Sequence, residues 1–232
     1  MRPPLFRLAS AAWTWPARTA APVVGATGQV VGVDVNEGML GMARAVPSPS
    51  GTAITWQQGD AATLPMPDTA FDVVLCQRGL QYFPQRAAAL QEMARVLVPG
   101  GRLALSVWRP LERQPFFVAL VDAIESHLGA EVGDLQRAAF ILGDAEALRG
   151  LLTAAGFRAP HIRLVVKLMH SSSLAEYLSG FVAATPMAGA VAAMDDAPRT
   201  AVFQVLQTTL RPYGDDTGLA VPMECHVVVA RT

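Results

Sequence analysis

From Gln29 to about residue 160, short runs rich in β-branched residues alternate with stretches of helical periodicity. No other feature restricts the fold as much. A strand followed by a helix and then another strand must cross back over a sheet, which makes neighbouring strands parallel and places helices on both faces. The clearest strands are QVVGVDV (Gln29–Val35), AITWQQ (Ala53–Gln58), FDVVLCQ (Phe71–Gln77) and RLALSVW (Arg102–Trp108). Between them, NEGMLGMARAV puts Met39, Leu40, Ala43 and Val46 on one helical face. QRAAALQEMARVLVPGG puts Ala87, Leu90, Met93, Ala94 and Leu97 on one face, and Pro99-Gly100-Gly101 signals its end.

Beyond Trp108 the pattern predicts amphipathic helices in PFFVALVDAIESHLG and DAEALRGLLTAAGF. HIRLVVKLMH reads as a strand, SSSLAEYLSGFVAA opens a capped helix, Arg199 to Leu210 forms another, and MECHVVVAR is the last strand. The predicted class is α/β with a doubly wound sheet.

Charge removes several functions. The 232 residues carry a net charge of −1, Lys167 is the one lysine, and the arginines are scattered. No basic patch of the kind a nucleic-acid binder needs is present in the sequence. No run reaches the roughly 18 apolar residues of a membrane span. Cys76 and Cys225 lack metal or redox spacing and suit a reduced compartment. The first 33 residues hold no acid and carry Arg2, Arg7 and Arg18, as a transit peptide would, but the apolar run LASAAW is short and flanked by proline. A cytoplasmic protein is expected. The four histidines form no triad or metal site, and neither G-x-S-x-G nor GxxxxGK[ST] occurs.

Parallel sheets bind ligands at the carboxyl ends of their strands. After the first recognisable strand stands Asp34, in VGVDVNEGML, where a carboxylate can accept from both hydroxyls of a ribose or simply cap the next helix. After the second, Gly59 lets the backbone approach a flat ring, Asp60 can accept from an exocyclic amine, and Ala61 offers an N–H. The alternative is a plain Gly-Asp turn. After the third strand comes CQRGLQYFPQ, with Arg78, Gln81 and Tyr82 facing the cleft; Phe83 and Cys76 read as packing. Met39 can stack on an adenine or fill core.

Taken together, VGVDVNEGML, GDAATLPMPDTAFDVVLCQRGLQYF and EMARVLVPGGRLALSVW resemble class I S-adenosylmethionine-dependent methyltransferases, in the small-molecule branch of ubiquinone/menaquinone-biosynthesis C-methyltransferases and related methyltransferase type 11 domains. The D-x-x-x-LP-x-x-D-x-x-FD run and R-x-L-x-PGG carry the likeness, over about residues 17 to 160. The resemblance implies S-adenosylmethionine as cofactor. Asp34 and the adjoining Val35 would lie at its ribose and Met39 on its adenine, with Gly59, Asp60 and Ala61 along the adenine edge. Gln77 would lie under the methionine moiety through its backbone. Arg78, Gln81, Tyr82 and Trp108 would face a small, apolar or aromatic acceptor. A Rossmann-like seven-stranded sheet of order 3-2-1-4-5-7-6 is implied, with the last strand antiparallel to HIRLVVKLM. The implied domains are an aberrant segment 1–16, a core 17–170, a helical acceptor-side lid 171–211 and a last core strand 212–232. No catalytic residue is assigned; His170 and Tyr82 are the candidate bases. A small-molecule partner is expected, and homodimer formation is left open.

The pattern breaks at one place. Ahead of Asp34 such enzymes carry a strand ending in an acid and a G-x-G-x-G loop, whereas here AWTWP precedes Ala17. Gly25–Gly28 belongs to the following turn instead. The first strand is therefore expected to be absent or replaced, with LFRLASAAW a poor filler. Tryptophan has a single codon, and shifting the frame of Ala-Trp-Thr-Trp-Pro-Ala spells Leu-Asp-Val-Ala-Cys when the third bases allow it. A frame-changing deletion and a naturally divergent N-terminus are both consistent with this, and the gene sequence distinguishes them. Three functions compete: a methyltransferase, impaired or not; an inactive relative acting by binding; and an NAD-dependent oxidoreductase, which also uses an acid at Asp34 but needs a GxGxxG absent here.

Overall fold

The computed structural model describes residues 6–11, 15–25, 27–48, 53–175, 195–215 and 218–232. The strands are β1 (Phe6–Ala11), β2 (Gln29–Asp34), β3 (Ile54–Gln58), β4 (Phe71–Gln77), β5 (Leu97–Trp108), β6 (Arg158–Ser171), β7 (Gly214–Asp215) and β8 (Gly218–Arg231). They form one sheet of order β3-β2-β1-β4-β5-β8-β6, with the two-residue β7 paired to β8. The described helices are α1 (Trp15–Val24), α2 (Glu37–Ala45), α3 (Arg86–Val96), α4 (Pro115–Leu128), α5 (Ala130–Arg137), α6 (Ala145–Ala154) and α7 (Asp196–Leu210).

The first strand is replaced rather than absent. Phe6–Ala11 lies between β2 and β4, parallel to both, with Phe6 opposite Gln29 and Ala11 opposite Gln77. The stretch that reads as a poor filler thus completes two ladders, because backbone pairing is indifferent to the side chains that family sequences carry there.

The chain divides into two compact units. The first comprises residues 1–107, 145–163 and 226–232. Ala17, Ala20, Ala21 and Val24 of α1 pack there on Val30, beside Ile54, Trp56 and Leu75. Gly32 is required in β2: a Cβ would fall 2.2 Å from Cζ3 of Trp56, its partner across the ladder. Arg18 of α1 donates to the carbonyls of Ala43 (2.8 Å), Val46 (2.6 Å) and Pro47 (2.6 Å), satisfying the C-terminal end of α2. The second unit comprises residues 108–144 and 164–225. Its core joins Phe116, Phe117, Leu120 and Ile124 of α4 to Leu206 and Leu210 of α7.

Two local expectations are corrected. In α3 the buried face is Ala89, Leu90, Met93 and Val96, while Ala87 is exposed and Ala94 only half-buried. Leu90 and Met93 belong to both faces, alanine gives little contrast elsewhere, and α3 ends at Val96, so Leu97 takes no part in the helical face. Pro99-Gly100-Gly101 is not a loop beyond the helix. α3 ends at Val96 and β5 starts at once at Leu97, opposite Phe71. The register then jumps so that Val73 faces Arg102, and Gly100 has φ of 78°. The extra residues are absorbed as a bulge inside the strand, where glycine supplies the left-handed step. The helix expected in SSSLAEYLSGFVAA opens at Leu174, and from residue 176 on it lies, with residues 176–194 of the expected lid, outside the described residues.

Candidate functional site

In the first unit the carboxyl ends of β2, β1 and β4 lie side by side, with Ser10 opposite Val33 and Ala11 opposite Gln77. Connections from β1 and β4 run to opposite sides in the strand order, so this is the switch point where a doubly wound sheet leaves a crevice. Asp34, Gly59, Asp60, Ala61 and Gln77 all lie at or just past these ends and that of β3.

Asp34 is the final residue of β2, opposite Gln58. Its Oδ1 accepts from the Asn36 N–H at 2.8 Å, and Asn36 Oδ1 caps α2 by accepting from the Met39 N–H at 3.3 Å. Partial burial raises the Asp34 carboxyl above its ordinary value, and the main-chain N–H groups of Asn36 and Val35 offset part of the rise. Such a carboxylate gains from further donors. Val35 is exposed, its carbonyl accepting from Gln58 Nε2 at 3.1 Å, and Met39 is half-buried on the first turn of α2.

Gly59 donates its N–H to the Asp34 carbonyl at 3.1 Å, joining the ends of β2 and β3. A Cβ at Gly59 would lie 2.7 Å from Pro65 Cδ and 3.2 Å from Val33 Cγ1. Asp60 is exposed, and its Oδ1 accepts from the Ala62 N–H at 2.8 Å. The turn closes when the Thr63 N–H reaches the Asp60 carbonyl at 3.1 Å, with Ala61 and Leu64 buried on either side.

Gln77 ends β4 opposite Ser106. Arg78 follows in the left-handed region at φ of 51°, and its N–H donates to the Ser106 carbonyl at 2.8 Å. That conformation costs a non-glycine residue about 1–2 kcal/mol, so the reversal into Gly79–Tyr82 is held by its surroundings. Gln81 is buried, and neither its Nε2 nor its Oε1 has a well-formed hydrogen bond among the described residues. Tyr82 itself is 43% exposed; desolvation of its inner part raises the phenol above its ordinary value, and the nearby Gln81 side chain and Arg78 charge offset part of that rise. Trp108 belongs to the second unit, where it is buried against Phe117 and Phe140 at ring-centroid distances of 5.6 and 6.4 Å.

Three residues with no role in the sequence reading support this region. Arg18 secures α2, while Glu92 and Arg95 of α3 bind the Leu64–Asp68 segment. The signal was present, since Arg95 is the arginine of R-x-L-x-PGG, but an i,i+3 pair on a helix ordinarily reads as a solvated face.

A family model described as a methyltransferase domain matches residues 15–105, a span that contains every site residue named above except Trp108 and the candidate base His170. A 2-phytyl-1,4-naphtoquinone methyltransferase from Synechococcus elongatus is 37% identical, over 64% of this chain and 69% of that protein. The ubiquinone/menaquinone biosynthesis C-methyltransferase UbiE of Saccharophagus degradans is 35% identical, over 58% of this chain and 59% of its own. Among solved structures, the YcgJ protein of Bacillus subtilis superposes with a TM-score of 0.63 at 15% identity, over 100% of this chain and 93% of that one. Phosphoethanolamine N-methyltransferase 2 of Haemonchus contortus, in complex with S-adenosyl-L-methionine, gives 0.60 at 16%, over 100% and 49%. At such identities these two bear on the fold alone. The sequence relatives and the family model show more: this chain belongs to the class I S-adenosylmethionine-dependent methyltransferases.

Proposed function

We propose that the chain transfers a methyl group from S-adenosylmethionine to a small apolar or aromatic acceptor, of the quinone type named for its relatives, and that the crevice at Asp34 and Gly59 holds the cofactor. One observation carries this reading: Asp34, its carboxyl partly buried at the switch point, accepts through its main-chain carbonyl from the N–H of Gly59, the glycine that precedes Asp60. The donor set suits a nucleoside. Asp34 would accept from the ribose hydroxyls, Val35 would flank them and Met39 would pack on the adenine. Asp60 and the Ala61 N–H would read the adenine edge, beside a Gly59 that leaves no room for a side chain. The Gln77 backbone would lie under the methionine end, and Arg78, Gln81 and Tyr82 on the acceptor side.

The sulfonium of the bound cofactor activates its methyl group for attack. What remains for the protein is in-line positioning and exclusion of water. Tyr82, with its phenol pushed upward, stays protonated at neutral pH and serves as a donor or an apolar wall rather than a base.

Calorimetry with S-adenosylmethionine and S-adenosylhomocysteine tests the reading. Micromolar binding that Asp34→Ala abolishes supports it; tight binding indifferent to Asp34→Ala defeats it. A second reading, binding without catalysis, is favoured by the sequence after β1, where Ala12-Trp13-Thr14 stands in place of a glycine loop. Millimolar or absent affinity for both nucleosides selects that reading.

A further inference from the structure

The guanidinium of Arg95 has five N–H groups, and all five find acceptors in one cluster. Nε donates to Glu92 Oε1 at 2.7 Å. Nη1 donates to the Met66 carbonyl at 2.9 Å and to Asp68 Oδ1 at 2.5 Å, and Nη2 to the Leu64 carbonyl at 3.0 Å and to Glu92 Oε2 at 2.7 Å. Glu92 Oε2 also accepts from the Leu64 N–H at 2.8 Å. Both main-chain polar groups of Leu64 are thus held by two side chains of α3, just where the turn that begins at Asp60 ends. The main chain of α3 adds a further tie, its Arg95 carbonyl accepting from the Thr69 N–H at 3.0 Å.

We propose that Glu92 and Arg95 are positioning residues for methyl transfer, which fix the Asp60–Leu64 turn in the shape that presents Asp60 and the Ala61 N–H to the cofactor. The inference rests on the assignment of those two groups to the adenine edge. The pair is partly buried, with side-chain exposures of 20% for Glu92 and 31% for Arg95, so solvent screens it less than a surface ion pair. Its value lies in geometry. The fork holds two carbonyls two residues apart and both Glu92 oxygens at once, an arrangement that the three donors of a lysine cannot reproduce. Hydrogen bonding to Arg95 holds the Glu92 carboxyl below its ordinary value, and the Arg95 guanidinium lies above its own. Both shifts favour the charged form of the pair.

The test is Arg95→Lys in two backgrounds, wild type and Asp60→Ala, with S-adenosylhomocysteine titrated by calorimetry. Amide exchange of residues 59–66 is compared with that of residues 103–107 in the ligand-free chain. The expected result is about a tenfold loss of affinity in the wild-type background and a much smaller loss beside Asp60→Ala, since coupled residues are not additive. Exchange should rise in the turn and stay unchanged in β5. Equal loss in both backgrounds, or exchange rising equally in both segments, overturns the proposal. If Asp60→Ala alone leaves affinity unchanged, the adenine-edge assignment falls and the clamp with it. If Asp60→Ala weakens binding and Arg95→Lys does not, only the clamp falls. Should the chain not bind S-adenosylhomocysteine, the adenine-edge assignment falls and the proposal with it.

Discussion

Gly59 donates its N–H to the carbonyl of Asp34 at 3.1 Å, so the carboxylate at the end of β2 and the turn after β3 share one backbone link. Neither end can shift without the other. The link leaves the Asp34 side chain free of that duty.

Gly59→Ala attacks this junction. The new Cβ would meet Pro65 at 2.7 and 2.9 Å, and a proline ring cannot swing aside as a flexible side chain can. Overpacking of this kind costs about 1–3 kcal/mol, which for a chain of this size lowers the melting temperature by roughly 2–12 °C. Calorimetric melting is expected to show that drop, and titration a loss of S-adenosylmethionine affinity larger than the loss for a surface control such as Ala87→Gly.

Asp34→Asn separates stability from binding. The carboxyl is raised in the folded state, so the native protein holds its proton to higher pH than the unfolded chain does. Between the ordinary value and the raised one, stability falls as pH rises, and above the raised value the full cost of a buried charge remains. The amide carries no such cost, and its Oδ1 still accepts from Asn36. Melting temperatures compared from about pH 3 to pH 7 should show the variant gaining on wild type as pH increases. Cofactor affinity at neutral pH should fall in the same variant.

Gln81→Leu exploits a buried amide with no well-formed hydrogen bond among the described residues. An apolar group of similar volume removes an unsatisfied polar group, for a gain of about 1 kcal/mol or no loss. On the proposed acceptor-side role, KM for the acceptor rises while S-adenosylhomocysteine affinity holds. Steady-state kinetics and calorimetry on one preparation read both. A fall in stability would show that the amide has a role in the core instead.

The strand–helix alternation and the strand ends were legible because periodicity and punctuation are local. Asp34, Gly59 and Gln77 could be placed from the runs before them, and the structure puts them where those runs end. Other features depend on partners distant in sequence. Nothing within Phe6–Ala11 announces a central strand; its place follows from the vacancy that β2 and β4 would otherwise leave. The Pro-Gly-Gly bulge needs the register of β4, and the rotation of α3 is hidden by a run of alanines. The Glu92–Arg95 pair could be seen as a pair but not as a clamp, since its acceptors are main-chain carbonyls about thirty residues away.

Phe6–Ala11 has a further consequence for how the molecule is made. β1 precedes both its partners in the chain, and β4 is synthesised only after two more strands and two helices. Throughout that interval β1 has one bare edge, and β4 must then dock against a strand already committed to β2. Losing β1 would split the ladder into a β2–β3 ribbon and a separate β4–β5 side, each with a new unpaired edge. Such edges recruit other chains. A segment that lies ahead of the family match is thus the one whose removal would be felt first as aggregation during synthesis.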